Sequence, residues 1–448
     1  MGISLRSVAV RCFALLLMCS APLAGLDRQP NADYRARRIA LAGRVGNSVV
    51  VLFAAEESKE GLEPFRQDNN FFYLSGSNEP GAALLIAPSA PATETAPARP
   101  YTEILFLPAH NFRKEKWTGP KIGPEDPKAP AITGFDRVEP LDMMRDELAK
   151  VVNMAPVYTD VVDAPDESPS TRPLQWLVRA NAFPFPNFLD VKPIVGDMRT
   201  HKDPGELERI RHATEASKAA HRKALKAMRP GLTENQISGL MVGEFEFQGC
   251  ERPAYAPIVG AGFNSTVLHY SENSGTIHDG DVVVMDVAGE YAMYASDITR
   301  TVPANGHFTP RQREIYDIVL GAQRAVMQAF VSGKSVLRGD SAESLYKVAY
   351  DYINTHGKDL HGQPLGKYFI HGLGHPVGLE VHDYGTSGPN IVLGPGMVFT
   401  IEPGIYIPEE KIGVRIEDIY EVDKNGKLID LTADLPHTAD EVEAAMKP

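Results

Sequence analysis

Two pairs of acidic residues on strongly apolar segments constrain this fold more than any other feature of the sequence. Asp286 and Asp297 lie on two segments that we predict to be successive strands, 281–288 and 293–302. If these strands form a hairpin, its centre lies midway between the two acids, directly after Tyr291. The hairpin geometry therefore predicts that Asp286 and Asp297 face each other across the strand pair.

Glu402 and Glu417 repeat this arrangement about a centre inside the turn-forming segment 408–411. Two acids directly opposed on buried strands cost free energy unless a positive group lies between them. Buried charges are normally paired or bind a metal, so four such acids call for at least one divalent cation and favour two. The alternative is that the acids are solvated or are paired with Arg300 and Arg415, which are close to them in the sequence.

A group of histidines lies between the two acidic pairs. The segment from Phe369 to His375 holds two histidines and two glycines, and His382 and Asp383 follow shortly after it. The glycines disfavour a regular helix and indicate a backbone that approaches another group closely. His375 would complete a site of four carboxylates and one imidazole, which suits manganese, with cobalt, iron or zinc as substitutes. The His-Glu-x-x-His motif of helical zinc proteases is absent from the sequence.

Six short motifs follow one another along the C-terminal half of the chain. They are Ala-Pro-Ile-Val-Gly-Ala-Gly at 256–262, Leu-His-Tyr-Ser-Glu-Asn at 268–273, Ser-Asp-Ile-Thr-Arg-Thr at 296–301, His-Gly-Leu-Gly-His at 371–375, Thr-Ile-Glu-Pro-Gly-Ile-Tyr at 400–406 and Val-Arg-Ile-Glu-Asp at 414–418. In this order they resemble the pita-bread metallopeptidases and, within them, the Xaa-Pro aminopeptidases (aminopeptidase P). The resemblance covers residues 200–425, and the segment 66–80 is similar to the N-terminal domain of the same group.

The resemblance implies a mixed α/β (α+β) fold and a metal centre. We expect an N-terminal creatinase-like α/β domain at residues 26–195 and a catalytic pita-bread metallopeptidase domain at 196–448. Two divalent ions, for which we expect manganese, would be bridged by Asp297 and Glu417. The five implied metal ligands are Asp286, Asp297, His375, Glu402 and Glu417.

The resemblance also implies a mechanism and the residues that carry it. The two ions would share a hydroxide whose pKa they lower, and Glu402 would accept its proton as general base. His269 and His382 would hold the scissile carbonyl and stabilise the oxyanion. The side that binds proline would be lined by His371, Tyr406 and Arg415.

Three of these assignments have alternatives that the residues leave open. Tyr406 can be ordinary strand packing, and Arg415 can be the partner of a carboxylate rather than of the substrate. His382 can be the direct metal ligand with His375 as its neighbour, because both follow a glycine-rich turn and spacing alone does not separate them.

The implied substrates are peptides with proline at the second position, from which the enzyme releases the N-terminal residue. The bond to proline lacks an N–H and carries a rigid ring, so ordinary proteases cleave it poorly. Prolidase, which cleaves Xaa-Pro dipeptides with the same ligands, is the main alternative, and methionine aminopeptidase fits less well because it rarely carries so large an N-terminal domain. A non-catalytic peptide-binding protein on the same fold is the alternative from another class, and the intact ligand set argues against it.

Charge and hydropathy limit the other partners. Asp and Glu number 58 against 45 Lys and Arg, and the resulting net charge of −13 repels phosphate and excludes non-specific nucleic-acid binding. No run of the sequence reaches about 18 apolar residues, so we expect no membrane span. The sequence does not fix the oligomeric state, and a homodimer or a homotetramer is compatible with it.

Residues 1–25 are typical of a secretory signal peptide. Arg6 and Arg11 precede an apolar run that begins at Cys12 and is too short to span a bilayer. We therefore expect an exported protein, periplasmic or secreted; a wrongly assigned start codon is the alternative and would leave the protein cytoplasmic. The 3 cysteines exclude a disulfide framework, and only Cys250 would remain after cleavage.

Periodicity and turn residues predict the elements that carry these motifs. In the N-terminal half we expect a helix at 34–45, strands at 48–53, 82–87 and 104–107, and a mobile, proline- and alanine-rich surface loop at 88–100. In the C-terminal half we expect helices at 205–228, from Thr233 onward, at 309–330 and at 341–356, and strands at 281–288, 293–302, 397–407 and 412–422.

Overall fold

The computed structural model describes residues 26–58, 62, 64–90, 99–151, 156–160, 176–177, 188–385 and 390–447. The predicted signal peptide at 1–25, with Cys12 and Cys19, lies outside the described residues. Within this described part of the chain, no helix is long and apolar enough to cross a membrane.

The N-terminal half is built on one six-stranded mixed sheet. Its elements are α1 (Asn31–Val45), β1 (Val49–Phe53), α2 (Asn69–Ser75), β2 (Ala83–Ala90), β3 (Arg99–Leu107), α3 (Glu115–Thr118), α4 (Ala129–Thr133), β4 (Arg137–Pro140), α5 (Met144–Val151), β5 (Val157–Thr159) and β6 (Phe188–Asp190). The strand order is β4-β3-β2-β1-β5-β6, with β1, β2 and β3 antiparallel and the outer strands added in parallel. The apolar run of β1 is buried on both faces, as expected for a central strand of an α/β domain.

The proline- and alanine-rich insert is shorter than predicted. β2 and β3 pair as far as Ala90 opposite Arg99, so both ends of the predicted loop at 88–100 are strand. Pro88 is tolerated because it lies beyond Ile86, the last residue of β2 that pairs with β1, so its missing N–H costs no bond to that strand. Residues 91–98, the middle of the predicted loop, lie outside the described residues.

The C-terminal half begins with helices and continues with short strands. Its elements are α6 (Lys192–Thr200), α7 (Pro204–Ala227), α8 (Glu234–Phe247), β7 (Arg252–Pro253), β8 (Ile258–Ala261), β9 (Val282–Asp286), β10 (Gly289–Tyr291), β11 (Tyr294–Ala295), β12 (Thr299–Pro303), α9 (Pro310–Ala329), α10 (Leu345–His356), β13 (Val398–Ile401), β14 (Gly404–Ile407), β15 (Ile412–Arg415), β16 (Asp418–Val422), β17 (Leu428–Asp430) and α11 (Ala439–Met446). The predicted helices are confirmed, and α7 and α8 begin behind the capping boxes of Asp203 and Thr233. The helix predicted at 341–356 begins only at Leu345, where Ser344 caps it.

Each of the four long strands predicted in this half is interrupted or cut short beside an acidic residue. β9 ends at Asp286, and the strand predicted at 293–302 is broken between β11 and β12, where Asp297 lies. The other two strands are broken at Glu402, between β13 and β14, and at Glu417, between β15 and β16. The strand pairs therefore change partners where the acidic side chains lie, and one continuous apolar core packs behind them.

The first hairpin has a different register from the predicted one. Thr299, not Asp297, lies opposite Asp286. The turn is formed by Ala292 and Met293, which both have positive φ (51° and 74°), a two-residue geometry that suits the twist of a hairpin. Moving the turn by one residue moves the cross-strand partner by two, so Asp297 is diagonal to Asp286 but remains on the same face.

The second hairpin has the predicted register. Gly404 lies opposite Arg415 in one strand pair and Ile401 opposite Asp418 in the next. The same register places Glu402 opposite Glu417, between the two pairs. The connection between the strands is a short 3-10 turn, Pro408–Glu410, and it ends at Lys411, whose φ is 53°.

Candidate active site

A buried cluster of three side chains lies where the interrupted strands meet. Asp297, His375 and Glu417 each present one ligand atom, and these atoms all lie within 4.8 Å of one another. His375 is brought in by an irregular segment that packs against β13. Gly374 permits this approach, because a Cβ there would lie 2.1 Å from the carbonyl oxygen of Thr400. The close backbone approach predicted from the glycines is therefore confirmed.

The imidazole of His375 is oriented by its own backbone neighbour. Its Nδ1 lies 3.1 Å from the carbonyl oxygen of Pro376 and donates to it. The lone pair of Nε2 then faces two carboxylates, Asp297 at 3.3 Å and Glu402 at 3.4 Å. A lone pair and two carboxylates at these distances repel one another unless a proton or a cation lies between them, which is how metal-ligating histidines are arranged.

Two further acids complete the set of five, one at the edge of the cluster and one behind it. Glu402 accepts a hydrogen bond from Thr400 at 3.2 Å and is only partly enclosed. Asp286 is held from two sides, by the Tyr255 hydroxyl and by the Arg415 guanidinium, each at 2.6 Å. The structure thus brings all five predicted ligands to one place, with Asp297, His375 and Glu417 as the tightest group.

Burial and the crowding of acids raise the pKa values of several groups in the cluster. Burial, together with the charges of Asp297 and Asp286, raises the pKa of Glu402 to about 7. Burial and the neighbouring acids also raise the pKa of Glu417 well above its usual range. Burial opposes protonation of His375, but its hydrogen bond to Asp297 and the charge of Glu402 raise its pKa to about 9.

The raised pKa values and one unpaired oxygen atom show whether the cluster suits a metal. Burial raises the pKa values of the two glutamates, and an excess of negative charge that Arg415 alone does not balance raises those of both the glutamates and His375. Oδ1 of Asp297 is buried and has no hydrogen-bond partner among the described residues. A buried acceptor without a donor is costly, and a divalent cation would satisfy it while reversing the pKa shifts. The residues present therefore fit a divalent metal centre.

Arg415 and Tyr406 connect the cluster to His371. Besides Asp286, Arg415 donates to the Tyr406 hydroxyl at 3.0 Å, and that hydroxyl donates to Nε2 of His371 at 2.8 Å. Nδ1 of His371 donates to the carbonyl of Gly372, and burial and the Arg415 charge lower the pKa of His371 to about 3. Tyr406 thus makes hydrogen bonds in addition to its strand packing. Arg415 contacts a carboxylate, which is the alternative to the substrate-binding role that we predicted for it. The side chain of Arg300 pairs instead with Asp418 and donates to the backbone carbonyl oxygen of Glu417.

His269 and His382 lie at the solvent side of the cluster. Both are exposed, and their ring centroids are 6.4 Å apart. The ring of His382 lies 4.0 Å from that of His375, but His382 is not part of the tight group of ligand atoms. Both imidazoles are accessible to a molecule that enters from solvent.

Three hydroxyl groups that orient the acids were not predicted from the sequence. Tyr255 bonds Asp286, Thr400 bonds Glu402, and Thr299 donates to Glu417 at 2.6 Å. Thr299 and Thr400 each lie two residues from an acidic residue, on the same strand face, and this spacing is the signal that could have identified them. Tyr255 lies far from Asp286 in the sequence and offered no such signal.

Both halves of the chain match known protein families. Residues 208–424 match the model of metallopeptidase family M24, and residues 34–158 match the model of the aminopeptidase P N-terminal domain. The chain is 34% identical to the Xaa-Pro aminopeptidase of Escherichia coli, over 92% of this chain and 97% of the relative. It is 33% identical to human Xaa-Pro aminopeptidase 3, over 85% of this chain and 76% of the relative.

Solved structures give the same assignment. Aminopeptidase PepP of Pseudomonas aeruginosa is similar with a TM-score of 0.80 and 32% identity, over 94% of this chain and 98% of that structure. Zinc-substituted E. coli aminopeptidase P in complex with product is similar with a TM-score of 0.78 and 31% identity, over 94% and 99%.

The fold and the acidic cluster together define a metallopeptidase with an N-terminal α/β domain and a C-terminal pita-bread domain, as the fold-class prediction stated. The chain belongs to metallopeptidase family M24, in its aminopeptidase P group. It is a metal-dependent aminopeptidase, and therefore a hydrolase.

Proposed function

We propose that this enzyme releases the N-terminal residue from peptides whose second residue is proline. The observation that carries the proposal is the buried set of acids around His375, in a chain that matches Xaa-Pro aminopeptidases over nearly its whole length. Prolidase activity is the alternative that the experiment below tests, and no contact among the described residues of the site favours it.

Five side chains would hold two divalent ions in this proposal: Asp286, Asp297, His375, Glu402 and Glu417. Asp297, His375 and Glu417 would form the centre of this set, since their ligand atoms lie within 4.8 Å of one another. When bound, such ions lower the pKa of water and polarise a carbonyl oxygen. Four carboxylates and one imidazole suit Mn²⁺, with cobalt, iron or zinc as substitutes.

Glu402 is the residue that we assign to proton transfer. It lies at the accessible edge of the cluster, and Thr400 fixes the orientation of its carboxylate. A carboxylate in this position can accept a proton from the attacking water and deliver it to the proline nitrogen as the peptide bond breaks.

The remaining residues would bind the peptide. His269 and His382 would donate hydrogen bonds to the scissile carbonyl and to the oxyanion that develops from it, since both rings face solvent beside the cluster. His371 and Tyr406 would form the wall against the proline ring. Arg415 would support that wall through its hydrogen bond to Tyr406.

The test is turnover of short peptides by the purified full-length protein with added Mn²⁺. We expect Gly-Pro-Ala to be cleaved to glycine and Pro-Ala, and the matched control Gly-Ala-Ala to be left intact. Cleavage of Gly-Pro without Gly-Pro-Ala would establish a prolidase instead. Binding of Gly-Pro-Ala without turnover in the metal-loaded protein would establish a peptide-binding protein.

Four further expectations belong to the same proposal. The ion that gives the highest turnover among Mn²⁺, Co²⁺, Fe²⁺ and Zn²⁺ identifies the preferred metal. N-terminal sequencing of the protein from its native cells tests export with cleavage of residues 1–25. Limited proteolysis tests the domain limits 26–195 and 196–448, and sedimentation distinguishes a homodimer or homotetramer from a monomer.

A further inference from the structure

The start of α2 in the N-terminal half contacts the loop that carries His382. Asn69 donates from Nδ2 to Glu380 at 2.8 Å. Arg66 donates from Nη2 to the carbonyl oxygen of Leu379, also at 2.8 Å. Both contacts bridge more than 300 positions of the sequence, so they connect the N-terminal sheet domain to a loop of the active site.

A third contact reaches the same loop through a buried ion cluster. Asn70 accepts a hydrogen bond from Nη1 of Arg199 at 2.8 Å. Nη2 of Arg199 lies 2.5 Å from Asp383, and the ammonium of Lys202 lies 2.9 Å from the other oxygen of Asp383. The three charged side chains are 6%, 1% and 1% exposed, so water does not screen their attraction.

The carboxylate of Asp383 fixes the loop around it. The backbone N–H of Asp383 donates to the carbonyl oxygen of Pro376 at 2.9 Å, which closes the loop onto the residue after His375. Gly378 packs so tightly that a Cβ there would lie 2.0 Å from the Asp383 carboxylate. His382 is the residue next to Asp383, so the direction of its imidazole depends on where this carboxylate is held.

We propose that Arg66, Asn69 and Asn70 form an N-terminal clamp that positions His382. Arg66 and Asn69 hold the loop directly, and Asn70 holds it through Arg199 and Asp383. The N-terminal domain then contributes to catalysis without touching the substrate. This inference rests on the proposed function, because it assumes that His382 contacts the reacting carbonyl. Asn70 is a positioning residue, and the segment 66–80, which the sequence marked as characteristic of the aminopeptidase P group, gains a physical role in this enzyme.

The first experiment compares Asn70→Ala with two matched variants. Asn70→Asp keeps an acceptor oxygen for Arg199, and Arg35→Ala removes an exposed ion pair with Asp136 elsewhere in the same domain. We expect Asn70→Ala to lower kcat for Gly-Pro-Ala by about 10- to 100-fold, since a displacement of about 1 Å at a reacting group has such an effect. Asn70→Asp should restore kcat, Arg35→Ala should match wild type, and metal content should be equal in all four proteins.

A double variant then separates positioning from a general loss of structure. If Asn70 acts through His382, Asn70→Ala should cause no further loss of kcat in a His382→Ala background. Equal losses in both backgrounds would overturn the proposal, and so would a loss of metal in Asn70→Ala alone.

A third measurement does not depend on peptide turnover. Amide hydrogen exchange of residues 376–383 should be faster in Asn70→Ala and in Asp383→Asn than in wild type, Asn70→Asp and Arg35→Ala. Unchanged exchange in folded Asn70→Ala would overturn the clamp. If wild type fails to cleave Gly-Pro-Ala, the proposed function is wrong, and hydrogen exchange still decides whether the clamp holds this loop.

Discussion

Replacing Arg415 with methionine distinguishes the two roles predicted for this residue. The guanidinium is buried and donates to Asp286 at 2.6 Å, to Tyr406 at 3.0 Å and to Thr299 at 3.1 Å. Removing one partner of a buried ion pair costs about 3–5 kcal/mol, and each hydrogen bond from the charged guanidinium to a hydroxyl contributes about 1 kcal/mol or more. We therefore expect the unfolding free energy of the metal-free protein to fall by about 5 kcal/mol in Arg415→Met.

The assay is urea unfolding of the chelator-treated protein, with Asp286→Asn and the double variant measured beside Arg415→Met. Asp286→Asn removes the charge that Arg415 balances. The double variant should therefore lose less unfolding free energy than the two single variants together, by up to about 3 kcal/mol. A loss within about 0.5 kcal/mol, as for a surface substitution, together with a raised KM for Gly-Pro-Ala, would refute this reasoning and make Arg415 a substrate-binding residue.

Three other predictions concern the metal centre itself. Glu402→Gln should keep much of the metal but lower kcat by about 10²- to 10⁴-fold, because an amide does not accept the proton; unchanged activity in a metal-replete sample would contradict the assignment. Asp297→Ala should lose at least one ion, measured by mass spectrometry, and full occupancy would show that Asp297 is not a bridge. His375→Ala should lose metal, whereas His382→Ala should keep it and lose transition-state stabilisation of about 2.7–4 kcal/mol; the reverse result would exchange the two roles.

Local patterns predicted much of this fold from the sequence. The capping residue Thr233 placed the start of one helix correctly, because a cap requires only residues within one turn. The turn after Pro408 predicted the register of the second hairpin for the same reason, and Glu402 lies opposite Glu417 as expected. The sequence also indicated, through its glycines, that the backbone before His375 meets another segment.

The first hairpin shows where local patterns fail. Equal spacing placed the turn one residue early, because the sequence between Asp286 and Asp297 does not show that Ala292 and Met293 adopt positive φ. The long predicted strands were interrupted for a related reason: continuous apolar runs do not reveal where a strand changes its partner. Thr299 shows the consequence, since it takes the place opposite Asp286 that we predicted for Asp297.

The sequence by itself indicated which chemistry this protein can carry: four acids on apolar strands and a histidine among glycines favour a bound cation. Only the tertiary structure decided how these groups are held. It showed that Arg415 pairs with Asp286, that Tyr255 orients the same carboxylate, and that Asn70 reaches the His382 loop through Arg199. These contacts join residues far apart in the chain, and their energies arise from burial and geometry that no local pattern of residues encodes.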